Sequence, residues 1–417
     1  MHRLLITGAL FIHVVLGGCA ITDSYSPRAI AYNLEAEQAQ NQALLLNIVR
    51  SYLHRPMQFT AIQSILGING GTAGLNIDVP IGRNSSTGLT VGGATGSLTT
   101  STNFTIPVLD TQEFYQGILT PIPPMLVDYY LHAAYPKDLM FNLIFEKIGV
   151  KVIDSRCRPS SHLLTCERTF RNNPQQPENI ALFQVLASYL LDLQLSTEPI
   201  KPGTASLTSG SDAKLQSPYR ICFSPRTRAS NELVDPGALC GATQSATTNK
   251  VGDATMLQPI KFSRDLAANM LTVVDRLGDQ ARYAESIRHF EGREVSITLT
   301  TRSTAGIFRY LGQLIRADQD GVSITLFPPT LERRSIPCWI EPAGETGCKP
   351  IFTVKSIAMG EAALTAISYA GAIYSVPASP DASLAPDVLS FLKELLAMMT
   401  SAKTLPASSI LSISPPR

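Results

Sequence analysis

The chain has 417 residues with 34 Lys plus Arg against 33 Asp plus Glu, a net charge of +1 at pH 7, and only 16% of its side chains are charged. Such a balance argues against a nucleic-acid partner, which needs a basic surface to displace counterions from phosphates, and against attachment to anionic lipid through a polybasic patch. With 44% hydrophobic residues beside abundant Ser, Thr, Gly and Pro, the composition suits one or two domains with ample core material and long polar connections.

The first segment, MHRLLITGALFIHVVLGGC, places one charged side chain, Arg3, ahead of an apolar run from Leu4 to Leu16 closed by Gly17 and Gly18. That is the order of an export signal. The run is 13 residues long, against about 20 for a bilayer-spanning helix, so a permanent transmembrane anchor is the weaker reading. Residues Leu16, Gly17, Gly18 and Cys19 resemble the lipobox of bacterial lipoproteins, and the resemblance implies lipid on Cys19, which becomes the first mature residue. In that group an Asp after the cysteine tends to retain the protein at the inner membrane. Ala20 stands here, so the resemblance implies an outer-membrane, periplasm-facing location. A plain secretory signal cut nearby and a cytoplasmic protein with an apolar start remain as alternatives. Removing the first 18 residues takes away one Arg and no acid, leaving 33 basic and 33 acidic side chains, so lipid is the anchor this reading requires.

Past a tether over 19–32, apolar residues at helical spacing predict a helix from Asn33 to Arg55, stopped by Pro56. GINGGTAG, with glycines at 67, 70, 71 and 74, predicts a flexible turn. From Thr72 to Val108, alternation in LNIDVPI, GLTVGG and TNFTIPV predicts two or three strands in a β-hairpin insertion placed over 67–108. Two or three helices broken by Pro121, Pro123, Pro124 and Pro136 follow, with Pro136 opening one of them, and then a strand around Val150 to Ile153. Asn179 to Leu195 predicts a helix that closes a mainly helical region, 33–198. Thr197 to Ser217 predicts a linker, and 199–258 is expected to be a disulfide-stapled loop region. Residues 259–417 form an expected C-terminal domain. It has helices at Ser263 to Leu277, Asp279 to Phe290 and Thr304 to Ala317, and strands at Val295 to Thr300, Val322 to Phe327 and Ile351 to Ile357. A hairpin over Ala363 to Val376 turns at Ala370-Gly371, and an amphipathic helix spans Pro386 to Ser401. Helices and antiparallel strands interleave without βαβ regularity, which predicts an α+β fold: a helical N-terminal part with a Gly/Ser/Thr-rich hairpin insertion and a C-terminal antiparallel sheet packed with helices.

Setting Cys19 aside leaves six cysteines in three close pairs, Cys157 and Cys166, Cys222 and Cys240, Cys338 and Cys348. In an oxidising compartment nearest-neighbour disulfides are the simplest pairing, among 15 connectivities that six cysteines allow. Each would contribute roughly 2 to 3 kcal/mol by restricting the unfolded chain. Other pairings, free thiols and metal ligation stay open, although no pair has the spacing of a structural zinc site.

Four segments together, NQALLLNIVRSYLHRPMQFTAIQSI, TIPVLDTQEFYQGILTPIPPMLVDYYLHAAYP, TTRSTAGIFRYLGQLI and VLSFLKELLAMMTSAKTLP, resemble a group of proteobacterial envelope lipoproteins with no assigned activity. The resemblance touches about a third of the chain between Asn41 and Pro406. It implies location and build, and carries no site residue across.

The sequence has no G-x-S-x-G, H-E-x-x-H, P-loop or EF-hand loop, and GINGGTAG is neither a dinucleotide fingerprint nor a phosphate loop. His54, His132, His162 and His289 are isolated from one another. Asp318 and Asp320 fall in RADQDG, which predicts a solvated turn rather than a metal site. Arg302, Arg309 and Arg316 recur at intervals of seven, so the last two share a helix face, either solvated or holding an acidic partner. No catalytic, cofactor or metal residue is assigned. Three functions follow: a non-enzymatic, lipid-anchored scaffold or accessory subunit of an envelope complex with a protein partner; an oligomeric outer-membrane export pore subunit built on the 72–108 strands; and an envelope hydrolase assembled from distant residues.

Overall fold

The computed structural model describes residues 25–60, 64–74, 95–105, 108–109, 111–153, 166–193, 195–199, 219–223, 254–256, 260–278, 280–327, 336–340, 347–356, 362–379 and 382–399. The chain divides into two units, one of Met1–Gln40, Ile62–Thr105 and Ser412–Arg417, the other of Asn41–Ala61 and Ile106–Leu411. Helix α1, Tyr25–Tyr52, starts earlier than its apolar pattern suggests and ends where His54 takes a left-handed conformation (φ 55°). There the Arg55 amide returns to the Arg50 carbonyl at 2.7 Å, closing the helix end.

In the first unit, β2 (Ser64–Gly74) pairs antiparallel with β3 (Thr95–Thr105), following β1 (Phe59–Thr60) in the chain. The expected flexible turn GINGGTAG is therefore strand. Its four glycines stand opposite Thr102, Thr99, Leu98 and Thr95, and the β-forming residues of β3 supply the propensity that glycine lacks. LNIDVPI and GLTVGG lie outside the described residues.

In the second unit, β1 pairs with β4 (Val108–Leu109). Phe59 of β1 is wedged between Phe114 and Phe308, at ring separations of 5.3 and 5.4 Å. Three short helices follow: α2 (Gln112–Leu119), N-capped by the Thr111 hydroxyl, α3 (Pro124–His132) with proline at its first position, and α4 (Lys137–Ile144), whose N-cap is Pro136. Helix α4 runs straight into β5 (Phe145–Val152), which starts five residues before the expected strand.

Strand β6 (Glu167–Arg171) lies within the region expected to be mainly helical, and β7 (Leu195–Pro199) pairs with β8 (Tyr219–Phe223), which falls in the expected loop region. Thr197 to Pro199 therefore belong to a ladder rather than to a linker. Between β6 and β7 runs α5 (Pro177–Asp192), with eleven buried residues. Strands β9 (Ala254–Met256) and β10 (Ile260–Lys261) precede α6 (Arg264–Leu277), capped by Ser263 and closed by Gly278 at φ 80°, and α7 (Gln280–Phe290).

Strand β11 (Glu294–Thr301) is central to the main antiparallel sheet, whose order is β10-β11-β5-β6 with β9 also on β11. Val295, Ile297 and Leu299 of β11 and Ile148, Val150 and Val152 of β5 fill one buried face, on which α5 packs. Because β5 and β11 are partners from Phe145↔Thr301 to Val152↔Val295, the sheet draws on both sides of the expected 258/259 boundary.

Helix α8 (Thr304–Gln319) follows, capped by Ser303. The expected strands at 322–327 and 351–357 shrink to β12 (Thr325–Leu326) and β14 (Lys355–Ser356), and β13 (Lys349–Pro350) forms just before the second. Ile324, Ile351 and Phe352 beside them are buried core residues, so their apolar signal reports packing rather than a long ladder. The hairpin β15 (Ala363–Tyr369) and β16 (Ala372–Pro377) turns at Ala370 (φ 51°) and Gly371 (φ 83°), as expected, and α9 (Ala385–Met399) closes the unit. The architecture is mixed α+β with antiparallel sheets.

Helix α8 crosses the end of α1 at Gly312, where an added Cβ would lie 2.7 Å from the Tyr52 nitrogen and 3.0 Å from the Ser51 carbonyl carbon. No flexible side chain can yield there, so the two helices must part. Gly312→Ala is expected to lower the unfolding free energy by about 1 to 3 kcal/mol in urea titration.

Candidate functional site

The most concentrated buried polar constellation surrounds Arg302, in the connection between β11 and α8. Its guanidinium donates to the carbonyls of Asn142 (2.7 Å), Leu143 (3.0 Å) and Asn172 (2.7 Å). Its own amide reaches Ile144 O at 2.7 Å, and its carbonyl accepts from the Ile122 amide at 2.9 Å. The first two carbonyls and Ile144 O are those that α4 leaves unpaired at its C-terminus, where the helix dipole favours a cation. Asn172 completes the arrangement by donating to Asn142 O and Phe145 O. The Tyr310 ring stacks on the guanidinium at 3.9 Å. Burial lowers the Arg302 pKa to about 10, with the Tyr310 and Glu146 charges opposing, so the side chain stays charged at neutral pH; burial pushes the Tyr310 phenol up.

Of Arg309 and Arg316, expected to share one helix face, only Arg309 lies free in solvent, and Arg302 belongs to the core. Arg302 is 5% exposed and precedes the helix, outside its periodicity. Arg316 donates to Tyr52 O at 2.6 Å and lies 5.9 Å from the Tyr52 ring, while the Tyr52 hydroxyl donates to Gln319 at 2.6 Å. Arg309 alone of the three is exposed.

A second polar chain leads from Asn142. Its side chain donates to Asp138 O at 2.9 Å, Gln184 of α5 reaches its Oδ1 at 3.4 Å, and the Trp339 indole donates to Gln184 Oε1 at 2.7 Å. Trp339 lies in a 3-10 turn, Cys338–Ile340, inside the loop closed by the Cys338–Cys348 disulfide, whose Cα atoms are 6.2 Å apart. Asp138, Asn142, Gln184, Thr325, Pro337 and Cys338 line a recess with a cavity volume of ≈ 20 Å³. That is room for about one water, not for a substrate. Cys166 is also disulfide-bonded, while its expected partner Cys157 lies outside the described residues. Cys222 occupies β8, and Cys240 and Cys19 lie outside the described residues.

The histidines sit on separate elements. His54 forms the turn after α1. His132 Nδ1 lies 3.0 Å from the Asp128 carboxylate within α3, and His289 Nε2 lies 3.2 Å from Arg293, where burial and the Arg293 charge lower its pKa. His162 is outside the described residues. Asp320 caps α8 and Gly321 turns the chain at φ 85°, the solvated turn expected of RADQDG. Among the described residues no group of three or more His, Cys, Asp or Glu is placed to hold a metal ion. Chemically, the Arg302 constellation caps a helix: the three carbonyls it reaches fill the guanidinium's reach inside the core, leaving it no access to a ligand.

The surface offers a different feature. Tyr115, Leu119, Tyr129 and Met398, each 37% or more exposed, come from α2, α3 and α9. These helices adjoin: the Tyr130 ring meets Phe391 at 4.6 Å, its hydroxyl contacts the Met398 sulfur at 3.7 Å, and α2 approaches Met399 O closely at Gly117. No described helix is long and apolar enough to cross a membrane. Comparison of the chain with protein-family models, curated proteins and solved structures finds no match.

Arg302→Leu would take the guanidinium donor from the buried Leu143 and Asn172 carbonyls and leave Asn142 O with the Asn172 amide alone, and is expected to cost about 3 kcal/mol or more in urea unfolding, whereas Arg309→Leu stays within about 0.5 kcal/mol. Arg302→Lys restores little, because one ammonium cannot span the fork. Trp339→Phe keeps the ring but orphans Gln184 Oε1, and is expected to cost about 1 to 2 kcal/mol by the same measurement.

Proposed function

We propose that this chain is a lipid-anchored envelope lipoprotein facing the periplasm, a non-enzymatic scaffold or accessory subunit of an envelope complex. The observation that carries the reading is the conjunction of the LGGC export segment with the Cys338–Cys348 disulfide and a disulfide-bonded Cys166. Disulfides of this kind persist in oxidising compartments beyond the inner membrane. Tyr115, Leu119, Tyr129 and Met398 are exposed apolar side chains on three adjoining helices, which a protein partner could cover. The Cys19→Ala variant is expected to lose palmitate incorporation and to leave the membrane fraction. Equal labelling of variant and wild type overturns the lipid anchor.

A second reading, a subunit of an oligomeric outer-membrane export pore, is favoured by one specific observation. Strands β2 and β3 are 11 residues long each and contain no Asp, Glu, Lys or Arg. A transmembrane β-strand needs about 9 to 11 residues when tilted. The two readings share the anchor and differ in what the hairpin does.

A further inference from the structure

Strands β2 and β3 make a two-stranded sheet with no third strand among the described residues. The ladder is unbroken, eleven pairs from Ser64↔Thr105 to Gly74↔Thr95. A two-stranded ribbon is marginal in water on its own. Among the described residues nothing pairs with either outer edge, and such an edge carries a row of backbone N–H and C=O groups, a template for further pairing. Proteins that stay monomeric blunt such edges with charged residues, proline, bulges or short strands. The 22 residues of this ribbon include no charged residue and no proline, and the register shows no bulge.

The direction of the strands fits a second copy as the partner. Strand β2 runs one way and β3 the other, so the β2 edge of a second copy laid beside β3 repeats the antiparallel relation found within each hairpin. Each added copy covers one edge and presents an identical new one. Such head-to-tail addition ends without a free edge only when it closes. We propose that β2 of one copy pairs antiparallel with β3 of the next, so that copies of this chain assemble into a closed ring of hairpins with two strands per copy. The proposal rests on the pore-subunit reading for its setting, and it adds the partner and the contact. Eleven residues rise about 36 Å along the strand, and a barrel tilt of about 35 to 45° reduces that to roughly 25 to 30 Å, the height of a bilayer's apolar band.

The test uses the full lipidated chain. Variants Ile68→Cys and Thr72→Cys in β2, and Ser97→Cys and Ser101→Cys in β3, are co-expressed in pairs under different tags and oxidised in native membranes. The native mass in mild detergent and the conductance in planar bilayers are then measured. Crosslinked dimers are expected for β2-with-β3 combinations, with a native mass several times that of the protomer. Ring mass and crosslinks without conductance uphold the pairing and defeat the pore reading. Conductance without any β2-with-β3 crosslink upholds a pore and overturns the pairing. Crosslinks confined to β2-with-β2 or β3-with-β3 combinations, or a monomer lacking all crosslinks, overturn it as well.

Discussion

A single residue, Arg302, ties the end of α4, the residue after β6 and the chain at Ile122 to the end of β11. Helix α4 passes into β5 with no intervening loop, so its last carbonyls have no turn of their own to satisfy them. Arg302 supplies the donors from the far end of β11, and its own backbone fixes Ile122 and Ile144. Asn172, just beyond β6, both donates into the cluster and is held by it. Burying the charge costs several kcal/mol, and charge-assisted hydrogen bonds return about 1.5 to 3 each, so the net gain is small. The dependence is therefore asymmetric: the cluster adds little to stability when whole, yet losing its centre takes the guanidinium donor from Leu143 O and Asn172 O at once.

The secondary structure was legible wherever a local rule decided it. Ser263 and Ser303 cap helices as their positions suggest, Pro136 opens α4, and Ala370-Gly371 turns a hairpin through two positive φ angles. What escaped was decided at a distance. Arg302 looked like one member of a heptad-spaced set because its partners lie 130 to 160 residues away. Strand β6 reads ERTFR, with one buried residue, Phe170, and its identity as a strand comes from pairing with β5. GINGGTAG looked like a turn because glycine punctuates most sequences, and here its partner strand overrides it.

The cysteines show the reverse case, in which sequence arithmetic reached a tertiary contact. Pairing nearest neighbours anticipated Cys338 with Cys348. It could not anticipate that the stapled loop carries Trp339 onto Gln184, because that contact spans 155 residues. The same Gln184 leans on Asn142, whose carbonyl accepts from Arg302. The loop and the helix cap are thus parts of one continuous polar thread through the core.

The two-residue ladder between β1 and β4 has a consequence for how this chain varies. Phe59 pairs with Leu109 and Thr60 with Val108, so the two ends of the intervening segment are already joined. Closing a flexible loop costs only about 0.6 kcal/mol more for each doubling of its length. Insertions and deletions between Thr60 and Val108 therefore change the reach of the hairpin while leaving the Phe59 wedge in place. The ladder anchors both ends of the segment, so its length can change without disturbing the aromatic wedge beside it.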